Sequence, residues 1–134
     1  MSADTVQQCF VTGGTGFFGK ALLRHWSSDL GAQDKPYQLT LLSRAPDTFK
    51  SANPDLSALE GVLFHAGDIT SPDTLPAGTS FDAIMHAATD STYGAALSPL
   101  ARYEQIVDGT RHLLDFAIAC GAKRFLLASS GGVY

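Results

Sequence analysis

The stretch Thr12-Gly13-Gly14-Thr15-Gly16-Phe17-Phe18-Gly19 lies between a short apolar run, Cys9-Phe10-Val11, and a longer amphipathic stretch. The longer stretch runs from about Phe17 to Ser28. In it, Phe18, Ala21, Leu22 and His25 recur at the spacing of one helix face. The sequence therefore predicts a strand, a glycine-rich turn and a helix in direct succession. This order is typical of the first unit of an α/β fold that binds a dinucleotide.

Three glycines of this turn, Gly13, Gly16 and Gly19, are spaced three residues apart. Gly13 permits a tight turn after the strand, and Gly16, which has no Cβ, allows the backbone to approach a pyrophosphate. Gly19 lets the helix pack close to the sheet. The first N–H groups of the helix and the positive end of its dipole then face the anion. We expect the pyrophosphate of NAD or NADP to bind here.

The rest of the chain alternates strands with helices or loops. Four further strands are predicted, at Gln38–Ser43, Val62–His65, Phe81–His86 and Arg124–Ala128. A long helix is predicted from about Ser98 to Cys120, with one apolar face made of Ile106, Leu113, Leu114, Ala117 and Ile118. A loop with one short helix is predicted at Arg44–Glu60, and a loop or a short helix at Ser71–Ser80. The pattern predicts one α/β domain, a doubly wound, Rossmann-like parallel sheet of about five strands in the order 3-2-1-4-5.

The composition suits one folded domain. Of the 134 residues, 45% are hydrophobic and only 16% are charged, as expected for a sheet buried on both faces. A net charge of −4 without a run of Lys or Arg argues against nucleic-acid binding. No apolar stretch approaches the ~20 residues of a membrane span, and the N-terminus lacks the basic start of a signal peptide. Cys9 and Cys120 are expected to be free thiols in a cytoplasmic protein.

Four segments extend the pattern of the turn over nearly the whole chain. They are Gly67-Asp68-Ile69-Thr70, His86-Ala87-Ala88, Val107-Asp108-Gly109-Thr110 with Leu113-Leu114, and Phe125-Leu126-Leu127-Ala128-Ser129-Ser130-Gly131-Gly132-Val133-Tyr134. Together with the turn they resemble the extended short-chain dehydrogenase/reductase family, the NAD-dependent epimerase/dehydratase group, whose members mostly act on nucleotide sugars. The resemblance implies the cofactor-binding part of an NAD(P)-dependent epimerase, dehydratase or reductase. Hydride would pass between a sugar carbon and the nicotinamide in the full-length parent.

The resemblance also implies roles for individual residues. It assigns the pyrophosphate to the turn residues Gly13, Gly14, Thr15, Gly16, Phe17, Phe18 and Gly19. Asp68 would hydrogen-bond the adenine amino group, and Ile69 would pack on the adenine. Ala87 and Ala88 would line the ribose and pyrophosphate, where only small side chains leave room. Ser130 matches the family's catalytic Ser/Thr, which hydrogen-bonds the substrate oxygen at the carbon that exchanges hydride.

Without the resemblance, several of these residues have ordinary structural roles. Asp68 after Gly67 suits a turn-forming aspartate. A histidine at a strand end, such as His86, is more often packed or hydrogen-bonded than catalytic. Ser129 and Ser130 suit strand-end serines that bind backbone groups.

The residues after the second strand favour NADP over NAD. A carboxylate at this place binds the ribose hydroxyls of NAD and repels a 2′-phosphate, whereas a basic residue accommodates the phosphate. The chain has Ser43-Arg44 here and no Asp or Glu before Asp47. Arg44 would hold the phosphate bidentately and Ser43 would donate a further hydrogen bond. Two alternatives are that Arg44 stacks on the adenine of either cofactor, or is a solvent-facing loop residue.

The chain departs from the family in two respects. The family's catalytic pair is a Tyr-x-x-x-Lys on the helix after the fifth strand, in which the Lys lowers the pKa of the Tyr. No Tyr here is followed by such a Lys, so the chain is expected to end before this helix and the substrate-binding part, and to be inactive alone. The family also usually has Asn three residues before the Gly-Thr pair, where this chain has Ile106.

These departures leave a second hypothesis, a non-catalytic dinucleotide-binding module that acts as a redox sensor or regulator. A metal-dependent or nucleophile-based enzyme is set aside, because no Cys/His cluster with ligand spacing and no Gly-x-Ser-x-Gly occurs. A homodimer is expected, since the long helix packs against its copy in family dimers. The fifth strand is also expected to be an apolar sheet edge that invites association.

Overall fold

The computed structural model describes residues 6–29, 37–88 and 97–129. Its elements are β1 (Gln7–Thr12), α1 (Phe17–Asp29), β2 (Tyr37–Ser43), α2 (Pro46–Ala52), α3 (Pro54–Ser57), β3 (Val62–Ala66), β4 (Ala83–His86), α4 (Pro99–Ala119) and β5 (Arg124–Leu127), with a 3₁₀ turn at Pro72–Thr74. All the predicted strands are present, with their ends shifted by no more than a residue or two. In these three ranges no helix is both long and apolar enough to cross a membrane.

The strands form a single parallel sheet in the order β3-β2-β1-β4-β5. The predicted doubly wound topology is therefore confirmed. In the register of this sheet Thr12 lies beside Leu42 on one side and His86 on the other, and Ser43 lies beside Ala66. The carboxyl ends of β1 to β4 consequently meet at one edge, which is where open α/β sheets bind their ligands.

Helices cover both faces of the sheet, because alternate residues of each strand point to opposite sides. On the α4 side the buried core consists of Phe10, Leu42, Leu75, Phe81, Ile84, Leu113, Phe116, Ala117 and Cys120. On the side of α1, α2 and α3 it consists of Val11, Leu23, Leu39, Leu41, Phe49 and Leu56. Phe10 anchors the first core, since its ring centroid lies 5.2 Å from that of Phe81 and 5.0 Å from that of Phe116.

The predicted first helix is present, but its inward face differs from the one the spacing suggested. Phe18, Ala21 and His25 are exposed, whereas Gly19 and Leu23 are buried and Trp26 is half-buried. Gly19 lies against the backbone of the preceding turn. This contact fixes the rotation of the helix about its axis, so the residues one turn and two turns later face the sheet.

The apolar positions of α4 share one side of the helix, as predicted, but only part of that side is buried. Leu113 is fully buried, but its neighbour Leu114 is 45% exposed and Ile118 is 80% exposed. The buried stripe is Gly109, Leu113, Phe116 and Ala117. Beside it runs an exposed stripe, here called the outer stripe of α4, made of Tyr103, Ile106, Leu114 and Ile118. Helical spacing cannot separate two adjacent apolar stripes when only one of them packs on the sheet.

The region Arg44–Glu60 holds two short helices where the sequence predicted one. Pro46 and Pro54 each stand at the start of a helix, a place that suits the fixed φ of proline. Phe49 from α2 and Leu56 from α3 are buried in the core on that face. The two prolines therefore start helices within a region that was predicted to be mostly loop. At Ser71–Ser80 the structure has a loop with the 3₁₀ turn.

The fifth strand lies at the edge of the sheet, as predicted. Leu126 and Leu127 are exposed there. This edge and the outer stripe of α4 are apolar surfaces that the described part of the chain leaves uncovered.

Candidate dinucleotide-binding site

The turn after β1 is pressed against the backbone that follows β4. Gly13 has a φ of 76°, a left-handed conformation that favours glycine. A Cβ on Gly13 would lie 2.5 Å from the carbonyl carbon and oxygen of Ala87 and 2.7 Å from the nitrogen of Ala88. Backbone atoms cannot move aside as the end of a flexible side chain can. Glycine is therefore required here both by the tight turn, as predicted, and by the contact with Ala87 and Ala88.

The other two glycines of the spacing differ in what they touch. A Cβ on Gly19 would collide with the carbonyl groups of Gly13 and Gly14, so the close approach is to the turn itself and not to the sheet. A Cβ on Gly16 would meet only the carbonyl oxygen of Gly13, at an ordinary 3.5 Å, and Gly16 has no positive φ. Within the described residues, internal packing does not explain the glycine at position 16.

The start of α1 presents backbone donors next to the exposed Gly16. The N–H of Gly16 donates to the carbonyl of Gly13 at 3.2 Å, and the helix follows with no acidic residue in its first turn. The side chains of Phe17 and Phe18 are exposed and lie edge to face. The first N–H groups of a helix have no acceptor within the helix, so they suit an anion. Gly14 lies next to Leu41, and Thr15 is half-buried.

A buried polar chain runs beneath the turn. The hydroxyl oxygen of Thr12 lies 2.7 Å from Nδ1 of His86 and accepts the N–H of Ala88 at 3.2 Å. Nε2 of His86 lies 3.2 Å from the hydroxyl oxygen of Thr110 in α4. Thr12 and His86 are buried, at 0% and 4% exposure. The packed, hydrogen-bonded role considered for His86 is thus the observed one.

Ser43 and Arg44 lie at the end of β2, on the same edge of the sheet. Ser43 is buried, its hydroxyl oxygen accepts the N–H of Ala45 at 3.2 Å, and its carbonyl accepts the N–H of Gly67 at 3.0 Å. Arg44, the next residue, is exposed. A hydroxyl residue and a basic residue thus follow each other at this edge.

The loop after β3 is held both by its own hydrogen bonds and by α4. Oδ1 of Asp68 accepts the N–H and the hydroxyl of Thr70, each at 2.9 Å, so the turn-forming role of Asp68 is observed. Ile69 packs against Gly109, where a Cβ would lie 2.7 Å from Cδ1 of Ile69. Nδ1 of His112 donates to the carbonyl of Ile69 at 2.7 Å. Gly109 therefore makes room for the Ile69 side chain.

The structure thus brings most of the predicted site to one edge of the sheet. The residues at this edge are Gly13, Gly14, Thr15, Gly16, Phe17, Phe18, Gly19, Ser43, Arg44, Asp68, Ile69, Ala87 and Ala88. Ser130, the predicted catalytic residue, lies outside the described residues. Ile106 belongs to the exposed outer stripe of α4. Among the described residues, no three His, Cys, Asp or Glu side chains cluster as metal ligands do.

Sequence reasoning missed four residues that organise this edge: Thr12, Thr110, Gly109 and His112. A polar residue at the end of an apolar strand is a usable signal for Thr12, since a buried hydroxyl needs a partner. Gly109 and Thr110 belong to the Val107-Asp108-Gly109-Thr110 segment, but their contacts with Ile69 and His86 depend on the packing of α4 across the sheet. No local pattern reports such contacts.

Burial of His86 has a consequence for stability. Burial lowers the pKa of His86 below its ordinary value of 6.5, so the unfolded chain takes up this proton at a higher pH than the folded chain. The contribution of neutral His86 is complete above pH 6.5 and is lost as the pH falls from there towards the lower folded pKa. We expect the free energy of unfolding, measured with urea, to fall more steeply between pH 7.5 and 5 than in His86→Asn.

His25→Asn removes an imidazole from the exposed side of α1 and is the control for the loss of a histidine as such. Equal slopes for His86→Asn and the unmodified chain would contradict this assignment.

Comparisons with known proteins agree with the geometry. The model of the NAD-dependent epimerase/dehydratase family matches residues 9–134. Among curated proteins, UDP-glucose 4-epimerase 2 of Oryza sativa subsp. japonica is 29% identical and is matched over 96% of this chain and 32% of its own length. UDP-glucose 4-epimerase of Streptomyces lividans is 26% identical over 92% of this chain and 36% of its own length. The chain thus spans about a third of these relatives.

Solved structures share the fold. The UDP-Glc/GlcNAc 4-epimerase from Campylobacter jejuni superposes with a TM-score of 0.74 at 23% identity, covering 93% of this chain and 37% of that one. A UDP-glucuronic acid 4-epimerase from Bacillus cereus, in complex with UDP-glucuronic acid and NAD, has a TM-score of 0.70 at 17% identity, with 96% and 41% covered. The family model matches nearly the whole length of this chain, and the chain therefore belongs to the NAD-dependent epimerase/dehydratase family.

Proposed function

We propose that this chain is the cofactor-binding part of an NAD(P)-dependent enzyme that acts on a nucleotide sugar as an epimerase, dehydratase or reductase. The observation that carries the proposal is the open space at Gly16, next to the first N–H groups of α1. The fold requires glycine at positions 13 and 19 for its own backbone contacts, whereas position 16 has ordinary contacts only. A glycine that the packing of the chain itself does not require is expected where a ligand closely approaches the backbone.

The residues at this edge fit a nicotinamide dinucleotide. The N-terminus of α1 would hold the pyrophosphate, while Ala87 and Ala88 would leave room for the ribose and the phosphates. Asp68 has its second carboxylate oxygen for the adenine amino group, because its turn bonds use Oδ1. The loop of Ile69 would lie along the adenine. When bound, the nicotinamide accepts or donates the hydride.

The substrate class and the catalytic residue rest on the family. Two UDP-glucose 4-epimerases are among the relatives, and both are about three times as long as this chain. We propose that Ser130 hydrogen-bonds the substrate oxygen in the parent enzyme. The rest of the substrate site and the Tyr-x-x-x-Lys pair would come from residues outside this chain, so the chain alone would bind cofactor without turnover. The two free cysteines agree with a cytoplasmic location.

Gly16→Ala tests the proposed pyrophosphate site. We expect it to weaken binding of NADPH at least tenfold, because its methyl group enters the space for the pyrophosphate. Its free energy of unfolding should fall by no more than about 1 kcal/mol, the typical loss at a helix N-terminus. Gly19→Ala should instead lose stability, since its Cβ meets backbone. Fluorescence titration with NADPH and urea unfolding measure the two effects.

Gly78→Ala is the matched control, because a Cβ there meets nothing within 4 Å although the φ of Gly78 is 72°. It should lose some stability through strain and keep its affinity. Undiminished NADPH binding by Gly16→Ala would contradict the proposed site.

We further propose that NADP is preferred over NAD. The exposed Arg44 follows the buried Ser43 where the ribose end of the cofactor would lie, and no carboxylate occurs there until Asp47. A guanidinium and a hydroxyl suit a 2′-phosphate, which a carboxylate would repel.

Arg44→Asp should reverse this preference. We expect it to weaken NADPH binding at least tenfold and to leave NADH binding unchanged or tighter, as measured by fluorescence titration with each reduced cofactor. Lys123→Asp makes the same charge change directly before β5, at the amino ends of the strands. It should alter neither the NADPH affinity nor the NADH affinity. The proposed preference for NADP is refuted if the unmodified chain binds NADH as tightly as NADPH and Arg44→Asp changes neither affinity.

A homodimer is proposed from the outer stripe of α4. Tyr103, Ile106, Leu114 and Ile118 fall within about a third of the circumference of this helix and are all exposed. An apolar stripe of this length on an exposed helix is typical of an interface. A second copy of α4 would cover it.

Ile118→Glu should convert the dimer to a monomer, because a carboxylate is costly to bury in an apolar interface. Size-exclusion chromatography with light scattering reports the mass. Ala119→Glu adds the same charge at the next exposed position, outside the stripe, and should remain dimeric. A monomeric unmodified chain at high concentration would overturn the proposal.

The alternative is a non-catalytic dinucleotide-binding module, which the apolar Ile106 favours. Both hypotheses predict cofactor binding by this chain. They differ in the coding sequence that follows Tyr134, where the enzyme requires a Tyr-x-x-x-Lys helix and the module does not.

A further inference from the structure

We propose that His86 is a positioning residue for the cofactor turn, acting through the Thr12 hydroxyl on the backbone of Ala87 and Ala88. This inference rests on the proposed cofactor site. His86 itself is buried, so it would not touch the cofactor.

The hydrogen bonds of Thr12 define which nitrogen of His86 carries the proton. The N–H of Ala88 can only donate, so the Thr12 oxygen accepts from it at 3.2 Å. The single hydroxyl proton of Thr12 then needs an acceptor, and Nδ1 of His86 lies 2.7 Å away. Leaving a buried hydroxyl without an acceptor costs about 1–3 kcal/mol. Nδ1 is therefore the acceptor, and the neutral ring carries its proton on Nε2, which donates to Thr110.

This arrangement acts on the cofactor turn through two consecutive peptide groups. The backbone carbonyl of Thr12 accepts the N–H of Ala87 at 3.1 Å, and its hydroxyl accepts the N–H of Ala88. The second of them, the Ala87–Ala88 peptide group, is the surface on which Gly13 rests without space for a Cβ. A shift of Ala88 away from Thr12 would therefore move the turn that offers the α1 N–H groups.

Protonation of His86 would break this set of bonds, because both ring nitrogens would then be donors. Nδ1–H would point at the Thr12 hydroxyl, whose own proton would lose its acceptor. Among the described residues, the side chains in contact with the ring are Thr12 from β1, the Phe125 ring from β5 and Thr110 from α4, and none of these three is charged.

The titratable residues that flank Thr110 along α4 are engaged with partners other than His86. Asp108 and Arg111 pair with each other at 2.9 Å on the exposed side of the helix. His112 is engaged with the carbonyl of Ile69. Burial then lowers the pKa of His86, which keeps the ring in its neutral form at pH 7.

Two amide variants separate the two nitrogens. Asparagine places a polar atom near Nδ1, and glutamine places one near Nε2. His86→Asn should therefore retain the Thr12 bond and bind NADPH within about threefold of the unmodified chain at pH 7.5. His86→Gln should lose that bond and bind at least tenfold more weakly, although it keeps a partner for Thr110. His25→Asn, on the exposed side of α1, should bind as the unmodified chain does.

A measurement without cofactor keeps this inference separate from the proposed function. Nitrogen-15 NMR of the unmodified chain should show the Nε2–H tautomer for His86, and exchange of the Ala88 amide proton should accelerate in His86→Gln but not in His86→Asn. The inference is overturned by an Nδ1–H tautomer, or by equal effects of the two variants on Ala88. If the NMR results are as expected and NADPH does not bind, the proposed function fails while the positioning of Ala88 by His86 stands.

Discussion

The contact between the backbone of Gly13 and that of Ala87 and Ala88 is the constraint on which the rest of the site depends. It joins the turn after β1 to the end of β4, at the centre of the sheet, with no side chain between them. Once this contact is made, Gly19 must lie against the turn, and the rotation of α1 follows. The first N–H groups of α1 then face the edge where β2 and β3 also end.

The site is supported from behind by α4. Its buried stripe packs on Phe10 in the core, while Thr110 binds His86 and His112 binds the carbonyl of Ile69. One helix therefore supports both loops that a dinucleotide would touch, the pyrophosphate end and the adenine end. The same helix exposes its outer stripe, so association through that stripe would stabilise the element that holds both loops in place.

The strand order and the strand–turn–helix units were predictable from sequence because they follow from local spacing and from the rule of right-handed crossovers. The site edge was predictable for the same reason, since parallel strands end together. Helix faces were not: Phe18 and Leu114 are apolar residues at helical spacing, yet both are exposed. Which stripe packs inward depends on Gly19 meeting the turn and on Gly109 meeting Ile69, and both are tertiary contacts. The pairing of Thr12 with His86, 74 residues away, has the same origin.

The central claim is that a nicotinamide dinucleotide binds along the edge formed by the turn and the ends of β2, β3 and β4. The most direct measurement is a map of backbone amide shifts in NMR spectra of the chain as NADPH is added. If the dinucleotide binds there, the largest shifts occur at Gly13 to Gly19, Arg44, Asp68 and Ala88. Two results would contradict binding at this place. One is that shifts are confined to the amino ends of the strands, around Tyr37 and Val62, and the other is that no shift saturates.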